Sequence, residues 1–496
     1  MTLRFRADGT FRVLQMADIQ DGPDVHPDTI RLIREAIRKA DPDLVVFTGD
    51  QIRGYDPAYI DTFLRRRGED PGARVRLVTE VEAKLQGVKR RPKVQELGGK
   101  VAERLERANL TEAADRLTAD LEAADNKTPG EMTDDELMDE TRAKVRKTFA
   151  AFLEPVIEAG VPFAATYGNH DFQCGILAEE QDDIYREFPG CLNPPMPDAA
   201  EASPTTPLAC EAGTFALPIA ASETSANPDR IVMSVMMVNS GDYADKDTPE
   251  ERDAQYPLYA ANPRGLDLAD ADGYGTPSPT AIKWLGDVQR TLGERNGDGK
   301  PVPSIAFQHI PPQEFYDVLR EVPAYTPNAV EGTRTFAGRC FVLDHDKCRP
   351  GSRLGEAIGC ADENVGQVDA MREAGGYFAL FCGHDHKNAF VGHADGIDLG
   401  YAPTCGFECY GPKSRFRGIR LFEFHESNPA AYVTRMLTWG DLVGRYSSNE
   451  VRVWFEDHCV TDAVGVRNEL RRPQVFAMLA GALGLGLAAI VRALRR

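Results

Sequence analysis

The chain has 496 residues, which at about 100–200 residues per domain allows two to four domains. Hydrophobic residues make up 42% and charged residues 27%, the balance of a soluble globular protein and not of a disordered one. Lysine and arginine total 57 against 77 aspartates and glutamates, a formal charge of −20. So acidic a surface repels phosphate backbones and excludes a general nucleic-acid binder, although a bound metal can reverse the field locally for a small phosphorylated substrate. The 10 cysteines form no repeated CxxC pairs, Cys405 and Cys409 being the closest, which argues for reduced thiols over a disulfide framework or structural zinc. Arg4 and Arg6 open the chain without the apolar stretch of about 7–15 residues that a secretion signal needs, so a cytoplasmic-facing protein is expected.

The first fifty residues read as strand, loop, helix, strand. Phe11–Ala17 is a predicted strand running into the acidic loop Asp18-Ile19-Gln20-Asp21-Gly22. Pro27, Asp28 and Thr29 can start a helix whose Ile30, Ile33 and Ile37 fall at helical spacing. Leu44–Phe47 is a short continuous apolar run, as in a buried parallel strand, and it ends at Thr48-Gly49-Asp50. From about 57 to 142 the composition turns to Arg, Lys, Glu, Asp and Ala, and Val101, Leu105, Ala108, Leu117 and Leu121 mark an amphipathic helix. Thr133 with Glu136 offers a capping box. This stretch is read as a helical insertion with a solvated charged face.

The α/β pattern then resumes. Phe149, Phe152, Leu153, Val156 and Ile157 form a helix stripe, and 162–166, 231–238, 305–307, 377–382 and 419–424 are predicted strands. The Pro-, Ala- and Thr-rich stretch 191–227 is expected to be a surface loop.

Four polar motifs each follow an apolar strand: Asp18-Ile19-Gln20, Gly49-Asp50, Gly168-Asn169-His170-Asp171 and Gly383-His384-Asp385-His386. His309, in Phe307-Gln308-His309-Ile310-Pro311, ends a fifth. Polar residues at the carboxyl ends of strands sit where open α/β sheets bind ligands. A specified four-residue string arises by chance with a frequency on the order of 10⁻³ in such a chain, and two in order at strand ends are hard to dismiss. Carboxylate and imidazole ligands suit iron, manganese and zinc. Two ions about 3.5–4 Å apart can activate water and clamp an in-line phosphoryl displacement, while a histidine outside the coordination sphere protonates the leaving group.

With these motifs the chain resembles the calcineurin-like metallophosphoesterase superfamily, whose pattern is D-x-H, GD, GNHD/E, a lone H and GHxH, and within it the short purple-acid-phosphatase-like branch. His309-Ile310-Pro311-Pro312-Gln313-Glu314-Phe315 and Gly383-His384-Asp385-His386-Lys387-Asn388 support the branch. The resemblance covers roughly 10–55 and 143–425. It implies an α/β, four-layer αββα sandwich of two mixed β-sheets with two divalent ions or an Fe(III)/divalent pair. Asp18, Asp50 and His386 would bind one metal, and Asp50 would bridge to a second held also by Asn169, His309 and His384. His170 would be the acid or transition-state stabiliser, oriented by Asp171.

The family's first motif usually ends in histidine, and here Gln20 stands in that place. Purple acid phosphatases, which also lack this histidine, use a tyrosine three residues after the second-motif aspartate. That position here is Arg53, with Tyr55 two residues further on. A glutamine amide oxygen is a neutral, weaker ligand that either binds a hard ion or holds a coordinated water. Either way the first metal should be looser or of different identity.

Residues 475–491 carry no charge and are apolar all round, with Arg471 and Arg472 before them and Arg492, Arg495 and Arg496 after. A transmembrane helix that anchors the chain is expected there, of about 26 Å against a hydrocarbon core of about 30 Å. The reading is thus a catalytic unit over 1–440, a linker over 441–474 and a membrane helix. The expected function is hydrolysis of a phosphate mono- or diester on a small molecule, lipid head group or phosphoprotein. The alternative is a membrane-tethered binding module whose first metal site is impaired by Gln20.

Overall fold

The apolar runs of the sequence become strands of two facing sheets. A computed structural model describes residues 2–54, 56, 58–66, 132–195, 208–243, 273–451, 466 and 470–494. In chain order the first part contains β1 (Leu3–Arg4), β2 (Thr10–Met16), α1 (Pro27–Ala40), β3 (Leu44–Thr48), α2 (Ile60–Arg66), α3 (Asp134–Glu158), β4 (Phe163–Thr166) and α4 (Ala178–Arg186). The middle adds β5 (Ala209–Glu211), β6 (Thr214–Ala220), β7 (Ile231–Met237), α5 (Pro279–Asn296), β8 (Ser304–Gln308), β9 (Leu319–Val322), β10 (Val330–Glu331) and β11 (Cys340–Leu343). The last part holds α6 (Gln367–Ala374), β12 (Tyr377–Cys382), β13 (Val391–Ala394), β14 (Ile397–Tyr401), β15 (Gly418–His425), β16 (Val433–Thr438), α7 (Trp439–Leu442) and α8 (Pro473–Leu494).

One sheet has the order β16-β15-β2-β3-β4, and a larger one β1-β6-β7-β8-β12-β14-β13 with β5 on β6. A small sheet, β10-β11-β9, stands beside them. Strands β2, β3 and β4 are mutually parallel, and so are β7, β8, β12 and β14. β3 is buried at every position, as expected of a strand paired on both edges and covered on both faces. Phe11, Val13, Leu44 and Val46 of the smaller sheet meet Val235, Ile305, Phe307 and Phe381 of the larger one in a single core. Helices α1 and α3 cover the outer face of the first sheet, and α5 and α6 that of the second. The result is the expected four-layer sandwich.

Helix α3 begins with both hydrogen bonds of the capping box between Thr133 and Glu136. It runs unbroken for 25 residues through position 142 and buries Phe149, Phe152, Leu153 and Val156. The amphipathic helix expected over 101–121 lies outside the described residues.

One expectation needs correction. The stretch 191–227 is not all surface loop, because it contains β5 and the largely buried β6. Pro218 misleads here. Its partner Ser234 gives its N–H to Pro303 on the far side, so Pro218–Ser234 is a non-hydrogen-bonded pair. The missing N–H of Pro218 therefore falls on the outer side, where β1 covers only Ile219 and Ala220. The C-terminal run is helical in α8, but among the described residues no helix is long and apolar enough to cross a membrane.

Buried polar groups fix the loops at the carboxyl ends of the strands. Gln15 Nε2 reaches Thr48 Oγ1 and Cys382 O, both at 3.2 Å, and so joins the two sheets. Asp171 accepts N–H bonds from Asp50, Gln51 and Gly168 at 2.8 Å and from Ile52 at 3.0 Å. One carboxylate thus clamps the loops after β3 and β4. Asp171→Asn keeps one acceptor oxygen and turns an NH₂ against two buried N–H groups, which should cost about 2–4 kcal/mol. Denaturant unfolding should show a lower midpoint, and an unchanged midpoint would remove the clamp.

Candidate functional site

Because β2, β3 and β4 are parallel, their carboxyl ends deliver Asp18–Gln20, Gly49–Asp50 and Gly168–Asp171 to one edge. Strands β8 and β12 of the facing sheet deliver His309 and Gly383–His386 to the same edge. The turns are sharp. Asp18, Gln20, Asp50 and His384 have φ of 54°, 44°, 55° and 77°, a left-handed conformation that costs a side-chain-bearing residue about 1–3 kcal/mol. Hydrogen bonds hold it: Gln20 N to Asp50 O at 2.9 Å, Asp18 N to Gly49 O at 3.2 Å and His384 N to Asp18 Oδ2 at 3.0 Å.

At the centre, Asp50 Oδ2 lies 3.2 Å from His309 Nε2, which lies 3.2 Å from His384 Nδ1. One ligand atom from each of these three buried residues lies within 4.8 Å of the others, a separation that could hold a metal ion. His309 Nδ1 faces Thr48 O at 2.9 Å and donates to it, which turns the Nε2 lone pair inward. Asn169 is 1% exposed, and its Oδ1 accepts no hydrogen bond. Burial alone would lower His309, but the charge and hydrogen bond of Asp50, the charge of Asp18 and the bond to Thr48 O together raise the imidazole pKa to about 9. Burial opposes ionisation of Asp50 too, yet His309 and His170 hold it well below the usual carboxylate range. Burial, with His309 next to it, pushes His384 well below an ordinary histidine.

Asp18 and His386 form the other half. His386 Nε2 is 3.3 Å from Asp18 Oδ1, and its Nδ1 donates to Tyr410 O at 2.6 Å. Gln20 lies between the halves, its Nε2 2.8 Å from Asp50 Oδ2 and 3.1 Å from His386 Nε2. All seven expected ligand residues therefore converge on this edge, Gln20 with its amide nitrogen turned inward.

His170 is on the rim, its side chain 26% exposed, with Nε2 3.9 Å from Asp50 Oδ2. Its backbone N donates to Asp50 Oδ1 at 2.8 Å. The expected orienting partner, Asp171, does not touch the ring, because both its oxygens are taken up by backbone N–H groups. Gln173 holds that place, its Oε1 accepting from His170 Nδ1 at 2.7 Å. Gly54 makes room for this pair, since a Cβ there would stand 2.0 Å from His170 Nδ1 and 2.1 Å from Gln173 Oε1.

Sequence reasoning missed Gln173, although its spacing of three from His170 within the 3₁₀ turn Asp171–Cys174 was a usable signal. It also missed two tyrosines that nothing in the sequence marks. Tyr410 stacks on the His386 ring at 4.0 Å, and Tyr274 meets His384 edge-on at 4.3 Å. Arg53 pairs with Asp56, 2.7 Å from its Nε, and with Glu408 at 3.6 Å, while Tyr55 lies outside the described residues. Ser240 braces the loop after His309 by accepting from Ile310 N at 2.8 Å.

No protein-family model matches the chain. Among curated proteins it is 22% identical over 442 residues to "Probable inactive purple acid phosphatase 28" of Arabidopsis thaliana, across 85% of this chain and 77% of that protein. It is 23% identical over 284 residues to "Probable inactive purple acid phosphatase 29" of the same plant, across 55% of this chain and 58% of that protein. Among solved structures, a dimetal phosphatase from Danio rerio aligns over 86% of this chain and 96% of its own at 12% identity and a TM-score of 0.37. GAP50, the anchor in the inner membrane complex of Plasmodium, aligns over 90% and 93% at 9% identity and a TM-score of 0.33. The chain is thus a distant relative of purple-acid-phosphatase-like proteins, and its two mixed sheets form a four-layer sandwich.

Proposed function

We propose that the chain is a metal-dependent phosphoesterase acting on a phosphate mono- or diester. The observation that carries this reading is the convergence of Asp50, His309 and His384, buried and within ligand distance of one another. The donor set fits a divalent transition ion: two imidazole nitrogens, a carboxylate and the unpartnered amide oxygen of buried Asn169. Such an ion, when bound, supplies a Lewis acid for the phosphoryl oxygens and lowers the pKa of bound water.

The chain's own residues do the rest. Thr48 O fixes the His309 ring by holding its Nδ1 proton, and Tyr410 O does the same for His386. Gln173 holds Nδ1 of His170, leaving Nε2 to carry a proton toward the leaving oxygen. The partly exposed His170 would meet a substrate from solvent, with the buried Asp50 Oδ2 3.9 Å from its Nε2.

The second reading, a binding module with weak catalysis, draws on the position of Gln20 between the two halves of the site. Metal content per chain, measured with turnover of a generic aryl phosphate, separates the two: an ion bound without turnover would favour the module.

Two predictions follow from the geometry. Asp50→Asn should lose both bound metal and hydrolysis, whereas His170→Ala and Gly54→Ala should lose hydrolysis by about 10²–10⁴-fold with metal content intact. Wild-type turnover in Asp50→Asn and His170→Ala would end the assignment. The second prediction is a pH dependence. In the metal-free chain His309 keeps its proton up to about pH 9. Ion binding must displace that proton, so apparent affinity should rise by up to about tenfold per pH unit between pH 6 and 8. Titration calorimetry in buffers of different ionisation heat would show the released proton, and a flat profile would contradict it.

A further inference from the structure

The two halves of the site differ in what they offer a cation. Asp50, His309 and His384 each offer a ligand atom within 4.8 Å of the others once His309 has given up its proton, and Asn169 Oδ1 is buried without a partner. Between Asp18, Asp50 and His386 a donor is already in place. Gln20 directs its amide nitrogen at Asp50 Oδ2, 2.8 Å away, and at His386 Nε2, 3.1 Å away. In the neutral ring, with its proton on Nδ1 toward Tyr410 O at 2.6 Å, His386 Nε2 accepts from that amide.

Those two N–H groups occupy the lone pairs that an ion in this half would take. To admit the ion, the amide must turn over, give up both hydrogen bonds and present Oε1, a neutral oxygen weaker as a ligand than imidazole. Nor can the side chain easily swing aside. Gln20 is 6% exposed, and its backbone N is held by Asp50 O at 2.9 Å.

We propose that this chain binds one ion tightly, at Asp50, Asn169, His309 and His384, and that the Gln20 amide stands in for the second. The inference rests on the metal-dependent reading above. It assigns Gln20 to site occupancy: the amide partly neutralises Asp50 and bridges it to His386, the work that a second cation would otherwise do.

The test counts ions. The full chain is stripped of metal, equilibrated with Mn²⁺ or Zn²⁺, and read by native mass spectrometry together with elemental analysis. One equivalent is expected for the wild type, with any second binding at least about tenfold weaker. Gln20→His should raise the count to two. Within the wild-type background, His386→Ala should leave the single ion bound, and His309→Ala should lower its affinity by more than about tenfold. These last two variants keep the proposal falsifiable should Gln20→His fail to fold. Two equivalents of similar affinity in the wild type, or loss of the single ion in His386→Ala, would overturn the proposal while leaving a metal-dependent enzyme. No bound ion at all would instead remove the metal-dependent reading itself.

Discussion

The carboxylate of Asp50 is the group on which the site depends. Its Oδ1 takes the N–H of His170, and its Oδ2 faces His309 and Gln20. Its own backbone N–H is held by Asp171. A buried carboxylate is costly unless charge and hydrogen bonds compensate it. Here the compensation comes from both sheets at once, so one anion at 1% exposure draws four loops to a point.

The kind of compensation is informative. Among the described residues Asp18 and Asp50 make ion pairs only with histidines, none with lysine or arginine. A lysine or arginine would remain protonated and fill the space permanently. An imidazole can give up its proton and present a lone pair, so the same contact serves a proton or an ion. The fixed partners behind the rings, Thr48 O and Tyr410 O, decide which nitrogen stays available. That explains why main-chain atoms at the strand ends matter as much as the motif side chains.

Much of this was legible in the sequence because strand ends and polar motifs are local signals. The run Leu44–Phe47 followed by Gly49-Asp50 specifies a buried parallel strand and the residue beyond it. Parallel strands in two sheets then bring the motif residues to one edge without further information. What stayed hidden depends on long-range contact or on the direction of a side chain. Asp171 sits next to His170 in sequence but turns toward backbone, and Gln173 takes the ring. Tyr410 reaches His386 only through the loop before β15. Strand β6 was hidden by composition, because Pro218 reads as a breaker unless it is known that β1 pairs only with Ile219 and Ala220 on that side.

The smaller sheet has a feature with consequences for synthesis. β2 pairs with β15, so that Phe11 lies opposite Phe424. Until residue 425 has left the ribosome, β2 has an unpaired edge, and the nascent sheet holds at most β2, β3 and β4. Pairings this distant are slow to form and leave apolar edges open to other chains. The acidic character of the whole chain offsets this hazard, since nascent copies carrying net negative charge repel one another on a polysome. The site is therefore assembled late, when the strand that completes its sheet arrives.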